Sequence, residues 1–386
     1  MTSRTRENVS RHASRICGDL VKISFLPLTA FLAFAASVPF AVKSSAQVAD
    51  NHNNGAWSFA VSGDSRNCGD VVMPAIAAGV KQKGASFYWH LGDFRAIYTF
   101  DEDLLHQPEN IAKPLNIISY EEHAWDDFIE SQIAPFSPVP VFLGIGNHDT
   151  IPPKTREQYD IQFADWLDSP ILQAQRLRDD PRDRKIKTYY HWIEGGVDFI
   201  SLDNATDDQF DSAQLHWFQK VLQADSADPE IHAIVAGMHE ALPESISMNH
   251  SMNQSVQGTE SGRRVYQSLL KAQNDAHKHV YVLSSHSHYY MDGIFNTEYW
   301  HANGGVLPGW IIGTAGAVRY PLAPNAKDAR AAETNVYGFL TGTVQPNGEI
   351  NFAFQRLSES DIPAPVAERY TPPFVHWCFA ENSAAH

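Results

Sequence analysis

Cysteine is scarce in this chain: three residues in 386, at positions 17, 68 and 378. Beyond the first 46 residues only two remain, so at most one disulfide can form there. Positive charge is also short. Lys and Arg number 29 against 45 Asp and Glu, for a net charge of −16. Residues 1–46 hold six of the basic side chains and two of the acidic ones, which leaves the rest of the chain at −20. Bulk electrostatics will not hold so acidic a protein on a nucleic-acid backbone, so any phosphate it handles has to be met by a local cation. Internal repeats and low-complexity blocks are missing. With 43% hydrophobic and 19% charged residues the composition is that of an ordinary globular protein, long enough for one large domain or two modest ones.

Long apolar runs are missing too, with one exception. "ISFLPLTAFLAFAASVPFAV" (Ile23–Val42) follows a basic leader with Arg4, Arg6, Arg11, Arg15 and Lys22, and precedes small residues at Ser44 and Ala46. This pattern reads as a secretory signal over 1–46 and predicts an exported protein, periplasmic or secreted, with no stable membrane anchor after cleavage. At roughly 20 residues the run could also span a bilayer; Pro27, Pro39 and the small-residue exit favour cleavage. In an oxidising compartment Cys68 and Cys378 are expected to pair, with two separate thiols, or Cys68 as a metal ligand, as the alternative.

What the chain does have is a recurring unit: a β-rich apolar run, a small residue, then polar groups. It occurs in "WSFAVSGD", "SFYWHLGD", "VPVFLGIGNHD", "HAIVAGMHE" and "HVYVLSSHSH". Such runs read as buried strands. Helical patterns lie between them, at Val71–Lys83, Glu121–Ile133, Ser212–Ala224 and Ser261–Lys278, which argues for a layered α/β fold. Turns at Gly195-Gly196 and Asn347-Gly348 predict two hairpins and therefore mixed sheets. Residues 100–120 and 152–186 read as polar insertions over the site rather than core. The Pro-rich segment 358–386 reads as an extended tail packed on a domain spanning 47–357.

"FAVSGDSRNC" (Phe59–Cys68) raises the functional question. Ser65 could be the nucleophile of a Gly-Asp-Ser hydrolase, or Asp64 could be a metal ligand at a strand end. Such serine hydrolases need a late Asp-x-x-His. The only one here, Asp103–His106, is early, so Ser65 is the weaker alternative. Asp64, Asp93, Asn147-His148, His239 and His286-x-His288 all fall where apolar runs end, and loops at strand ends converge on ligands in α/β folds. Asp, Asn and His together suit borderline divalent metals such as Zn, Mn and Fe.

In this order the motifs "GDSR" (Gly63–Arg66), "GDFR" (Gly92–Arg95), "GNHD" (Gly146–Asp149), "GMHE" (Gly237–Glu240) and "SHSH" (Ser285–His288) resemble the calcineurin-like metallophosphoesterase superfamily, which includes purple acid phosphatases. The likeness spans residues from about 57 to 318. It implies a four-layer α-β-β-α sandwich of two mixed sheets and two divalent metals (Zn, Mn or Fe). Asp93 would bridge them, Asp64 and His288 would hold the first, and Asn147, His239 and His286 the second. His148 would donate to the leaving oxygen. "GTAGA" (Gly313–Ala317) resembles the small-residue loop after the last motif. The implied activity is hydrolysis of small phosphate mono- or diesters by a metal-bound water, whose pKa falls from about 15.7 to about 7. A metal-poor relative that binds a phosphorylated ligand without turnover is the alternative.

Two positions depart from the family. Two residues past Asp64, where a ligand or glycine is usual, stands Arg66. Three past Asp93, in place of Asp or Tyr, stands Ala96; Tyr98 would need a loop kink to take part. The first metal thus keeps only Asp64, Asp93 and His288, and is expected to be weak or empty. A guanidinium cannot ligate. At about 4 Å and an effective dielectric near 20, its charge against a dication costs roughly 8 kcal/mol before compensation. Either Arg66 swings out to meet the substrate phosphate and two metals bind, or it stays in and one binds; the retained ligands favour the first. Arg95 reads as a surface charge.

Overall fold

In the first strand Trp57, Phe59 and Val61 enter one hydrophobic core and Ala60 another. Alternation with both faces apolar requires cover on both sides of the sheet. The structure, a computed structural model, describes residues 55–205 and 209–384; the signal read over 1–46 lies outside them. The strands are β1 Trp57–Ser62, β2 Tyr88–His90, β3 Val141–Leu143, β4 Tyr190–Glu194, β5 Val197–Ser201, β6 Ala233–Gly237, β7 His279–Ser284, β8 Tyr290–Asp292, β9 Gly309–Ile312, β10 Ala331–Glu333, β11 Tyr337–Val344 and β12 Ile350–Leu357. They form a five-stranded sheet, β12-β11-β1-β2-β3, and a seven-stranded one, β10-β8-β9-β7-β6-β5-β4. Both are mixed: β1, β2 and β3 run parallel beside antiparallel β11 and β12, and β5, β6, β7 and β9 run parallel beside antiparallel β4 and β8.

The sheets face each other across an aromatic core. Phe59 meets Phe87 at 5.4 Å and Phe199 at 4.9 Å, and Trp89 meets Trp192 at 5.2 Å between ring centroids. Truncating one such buried ring costs about 3–5 kcal/mol. Helix Gly69–Gln82 covers the outer face of the first sheet, and helices Ser212–Ala227 and Val256–Asp275 cover that of the second. This is the expected four-layer α-β-β-α sandwich. Register decides where the site sits. Ser62 pairs with His90, His90 with Leu143, and Gly237 with Leu283. The parallel strands of each sheet therefore end level, and their loops emerge side by side.

Both hairpins form as expected, with φ of +55° and +77° at Gly195 and Gly196. Helix limits shift for local reasons. The helix read from Ser261 begins at Val256, because the Ser255 side chain accepts from the Gly258 N–H and caps it. The helix read over Glu121–Ile133 starts at Ile117, capped by Asn116, and turns into a π-helical stretch at Phe128–Ile133.

Three expectations are corrected. The tail is helical, over Ala364–Tyr370 and Pro372–Ala380, and buries Tyr370, Phe374, Val375 and Cys378. Proline there starts helices rather than preventing them. The two insertions belong partly to the core, which takes Leu104 from one and Tyr159, Phe163 and Leu167 from the other. Arg95 is fully buried. Its guanidinium meets Asp70 and Asp127, lies 2.8 Å from Asp103 Oδ1 and 4.0 Å from Asp101 Oδ2, and so gathers four carboxylates behind the site loops.

Cys68 and Cys378 are joined, with their Cα atoms 6.0 Å apart and 310 positions between them. Arg319 reinforces the attachment by donating from Nε to the Asn382 carbonyl at 2.9 Å. Opening so long a loop frees the unfolded chain. Cys378→Ser should therefore cost about 2–4 kcal/mol of unfolding free energy in denaturant titrations. Superimposable curves for the two proteins would refute this. No helix among the described residues is long and apolar enough to cross a membrane.

Candidate metal centre

Three residues at strand ends adopt left-handed backbone: Asp64 (φ +61°), Asp93 (φ +62°) and His286 (φ +61°). This region is sparsely used by residues other than glycine, and where it recurs it marks sites whose surroundings hold a strained turn in place. Here it aims each side chain across the ends of the sheets. Glycines allow the close approach. A Cβ on Gly146 would stand 2.3 Å from Asp93 Oδ1, and one on Gly313 would stand 2.9 Å from Asp64 Oδ2.

One group of ligand atoms lies around His239. Its Nδ1 donates to the Leu91 carbonyl at 3.0 Å, so Nε2 carries the lone pair. That nitrogen faces Asn147 Oδ1 at 3.0 Å, His286 Nδ1 at 3.0 Å and Asp93 Oδ1 at 3.4 Å. Oxygens and imidazole nitrogens converging this closely in a buried place make a site that suits a cation. Asp93, His239 and His286 form the described Asp/His group able to hold a metal ion. Burial holds the His286 imidazole neutral, well below its ordinary pKa, which is the form that ligates.

The second group surrounds Arg66, which is 8% exposed. His288 Nδ1 donates to the Val318 carbonyl at 2.6 Å, and its Nε2 accepts from Arg66 Nη2 at 2.9 Å. His148 Nδ1 donates to the Ala96 carbonyl at 2.9 Å, and its Nε2 accepts from Arg66 Nη1 at 2.6 Å. Arg66 Nε lies 3.5 Å from Asp93 Oδ2. The expected outward swing of Arg66 is therefore not what the structure has: two imidazole lone pairs and a carboxylate turn it inward. Asp64 accepts from the His286 backbone N–H at 2.7 Å through Oδ2, and its Oδ1 lies 3.2 Å from His288 Nε2. Among the described residues neither Asp64 Oδ1 nor Asp93 Oδ2 receives a hydrogen bond, so each is a buried acceptor at the site. Burial opposes ionisation of both, but His288 and His239 hold the Asp64 carboxyl well below the usual range, and His239, His148 and Arg66 hold Asp93 down to about 2.

All the residues singled out from the sequence thus meet in one place: Asp64, Arg66, Asp93, Asn147, His148, His239, His286 and His288. Ser65 does not join them chemically. Its hydroxyl is buried and donates to the Phe94 carbonyl at 3.5 Å, with no imidazole bonded to it among the described residues. Tyr98 follows a kink at Ile97 (φ +67°), but it is 57% exposed and sets its ring 5.2 Å from that of His148 instead of pointing into the ligand set.

The sequence reading missed three participants. Asp149 accepts from the backbone N–H of Asp93 and of Gly146, each at 2.8 Å, and so ties two loops together. Burial and the neighbouring Asp93 charge push its carboxyl up to about 7. Its place in "GNHD" was the available signal. Tyr320 stacks on His288 at 4.0 Å, and His250 lies 5.4 Å from His286 and 5.3 Å from Tyr320. Nothing in the sequence near either residue marks it. A cavity of about 820 Å³ opens elsewhere, beside Trp217, Tyr189 and His191, and includes none of the site residues.

No protein-family model matches the chain, and no curated protein does. Among solved structures, a purple acid phosphatase from seeds of yellow lupin (Lupinus luteus) matches with a TM-score of 0.51 at 15% sequence identity, over 78% of this chain and 52% of its own. PhoD matches with a TM-score of 0.47 at 16% identity, over 78% of this chain and 69% of its own. The chain spans about half the length of the lupin enzyme, at 52%.

Proposed function

We propose that this chain, which has the metallophosphoesterase fold, is a metal-dependent phosphoesterase acting on small phosphate mono- or diesters. The observation that carries the proposal is the convergence on His239 Nε2 of Asn147 Oδ1, His286 Nδ1 and Asp93 Oδ1, within 3.0–3.4 Å. These atoms fit a borderline divalent cation such as Zn, Mn or Fe. When bound, such a metal supplies positive charge for the phosphoryl group and makes water acidic enough to serve as a nucleophile at neutral pH.

The remaining work falls to the chain's own groups. The Leu91 carbonyl keeps the His239 lone pair turned toward the ligand position. Arg66 offers N–H groups in a planar fork that matches phosphate oxygens. His148, beside it, turns its Nε2 toward the same place; once Arg66 engages the phosphate and this nitrogen takes up a proton from solvent, it is the side chain in place to pass that proton to the leaving oxygen. Asp149 holds the Asp93 and Asn147 loops in register, so the ligand atoms keep their spacing. Tyr98, Tyr320 and His250 wall the site with rings, which suits an ester with a flat or apolar leaving group. Export fits the disulfide, since such bonds persist in oxidising compartments.

Chelation tests the proposal. Purified protein should hydrolyse p-nitrophenyl phosphate or bis(p-nitrophenyl) phosphate, fall to background after dialysis against EDTA, and recover on addition of Mn²⁺ or Zn²⁺. Activity indifferent to the chelator would overturn it.

A further inference from the structure

The guanidinium of Arg66 lies among the side chains that a first metal would need. His288 Nε2 accepts from it at 2.9 Å and His148 Nε2 at 2.6 Å, and Asp93 Oδ2 is 3.5 Å from its Nε. His288 has no second lone pair to give, because its Nδ1 is committed to the Val318 carbonyl at 2.6 Å. The same holds for His148 and the Ala96 carbonyl at 2.9 Å. Two carbonyls thus set two tautomers, and both turn a lone pair toward the place the guanidinium fills. A metal there would have to displace a cation already paired with Asp93 and hydrogen-bonded on both sides.

The two halves of the site differ in this respect. Around His239 the converging atoms are Asn147 Oδ1, His286 Nδ1 and Asp93 Oδ1, with no Lys or Arg side chain bonded to them among the described residues. Around His288 the acceptors already face a permanent cation. Arginine stays protonated and has no acceptor, so it can never become a ligand itself.

We infer that the centre binds one divalent cation, through Asp93, Asn147, His239 and His286, and that Arg66 is a built-in second cation that takes the place of the other metal. This rests on the metallophosphoesterase reading above. The guanidinium supplies one fixed positive charge and directional N–H donors where a metal would supply two charges and open coordination positions. Two of its five N–H groups serve the imidazoles, and the others remain for Asp93 and an incoming phosphoryl oxygen. Asp64 then acts as a positioning residue. It accepts the His286 N–H at 2.7 Å and so fixes the loop that carries both His286 and His288, without being a ligand.

The experiment counts metal. Apo protein is titrated with Mn²⁺ by calorimetry, and the bound ion is measured by elemental analysis after gel filtration. The wild type should bind one Mn²⁺ per chain. Arg66→His, which removes the cation and offers a new imidazole, should bind two, with the magnetic coupling of a Mn–Mn pair in electron paramagnetic resonance. Arg66→Ala serves as a second variant, with its folding checked by circular dichroism. It should lose most activity and regain part of it with added guanidinium ion, while retaining the first Mn²⁺. Two ions in the wild type would overturn the inference and leave the metallophosphoesterase reading intact. One ion in folded Arg66→His would overturn it as well. No ion in any form would overturn both.

Discussion

Replacing His239 by alanine should abolish metal binding and lower kcat/KM by more than about a hundredfold, with the fold intact. Losing an outer partner of a metal ligand already costs about 10–100-fold, and His239 lies inside that shell. Its Nε2 is the atom on which Asn147, His286 and Asp93 converge, so its removal leaves three acceptors without their common neighbour. The fold should survive. His239 follows β6, whose packing depends on Ala233, Ile234, Val235 and Ala236, all of them buried. Elemental analysis, steady-state kinetics and a thermal melt on one preparation separate these effects. Full activity in the variant would remove His239 from the site. Lost activity with a melting temperature lowered by many degrees would mean that the imidazole is structural.

Arg95→Leu should destabilise the protein by about 3–5 kcal/mol, the usual cost of removing one partner from a buried ion network. Leucine fills much of the space but leaves Asp70, Asp101, Asp103 and Asp127 facing one another. Neighbours offer only partial relief. Gln107 donates to Asp70 Oδ2 at 3.1 Å and to Asp127 Oδ1 at 2.7 Å, Tyr370 OH donates to Asp70 at 2.7 Å, and Tyr120 OH to Asp101 at 2.6 Å. Even with Arg95 present, burial outweighs the cation and pushes the Asp127 carboxyl up to about 6. A carboxyl whose folded pKa is raised gains stability as pH falls through that value, because the folded state then takes up the proton more readily. Acidification from pH 7 toward 5 should therefore recover part of the loss in the variant. Urea unfolding at both pH values measures it. A loss below about 1 kcal/mol would show that the carboxylates find other relief.

Arg66 and Arg95 mark the limit of what the sequence discloses. Each stands two residues past a Gly-Asp at a strand end, in "GDSR" and "GDFR". One enters the site and the other turns away behind it. What separates them is the company each keeps: His148 and His288, 82 and 222 positions from Arg66, against Asp103, Asp70 and Asp127, between 8 and 32 positions from Arg95. No local pattern carries that difference. The candidate ligand set is legible because apolar runs ending in Asp, Asn or His repeat five times, and parallel strands in register bring such ends together. The tail departs from the expected extended segment because its prolines occupy the first turns of two helices. Tyr320 and His250 reach the site through loops whose course depends on everything packed around them.

The bond between Cys68 and Cys378 also sets a clock. Cys68 opens the helix that follows Asp64 and Arg66, and its partner is made 310 residues later. At about 5–20 residues per second, a ribosome takes roughly 15–60 s to cover that distance. Through that interval the loop carrying Asp64 and Arg66 exists without its covalent tie, and Arg95 without the helix that brings Tyr370 against its carboxylates. An incomplete chain caught in that window would carry most of the motifs and none of the closure. The stretch that carries Cys378 thus secures a loop whose own residues were made long before it.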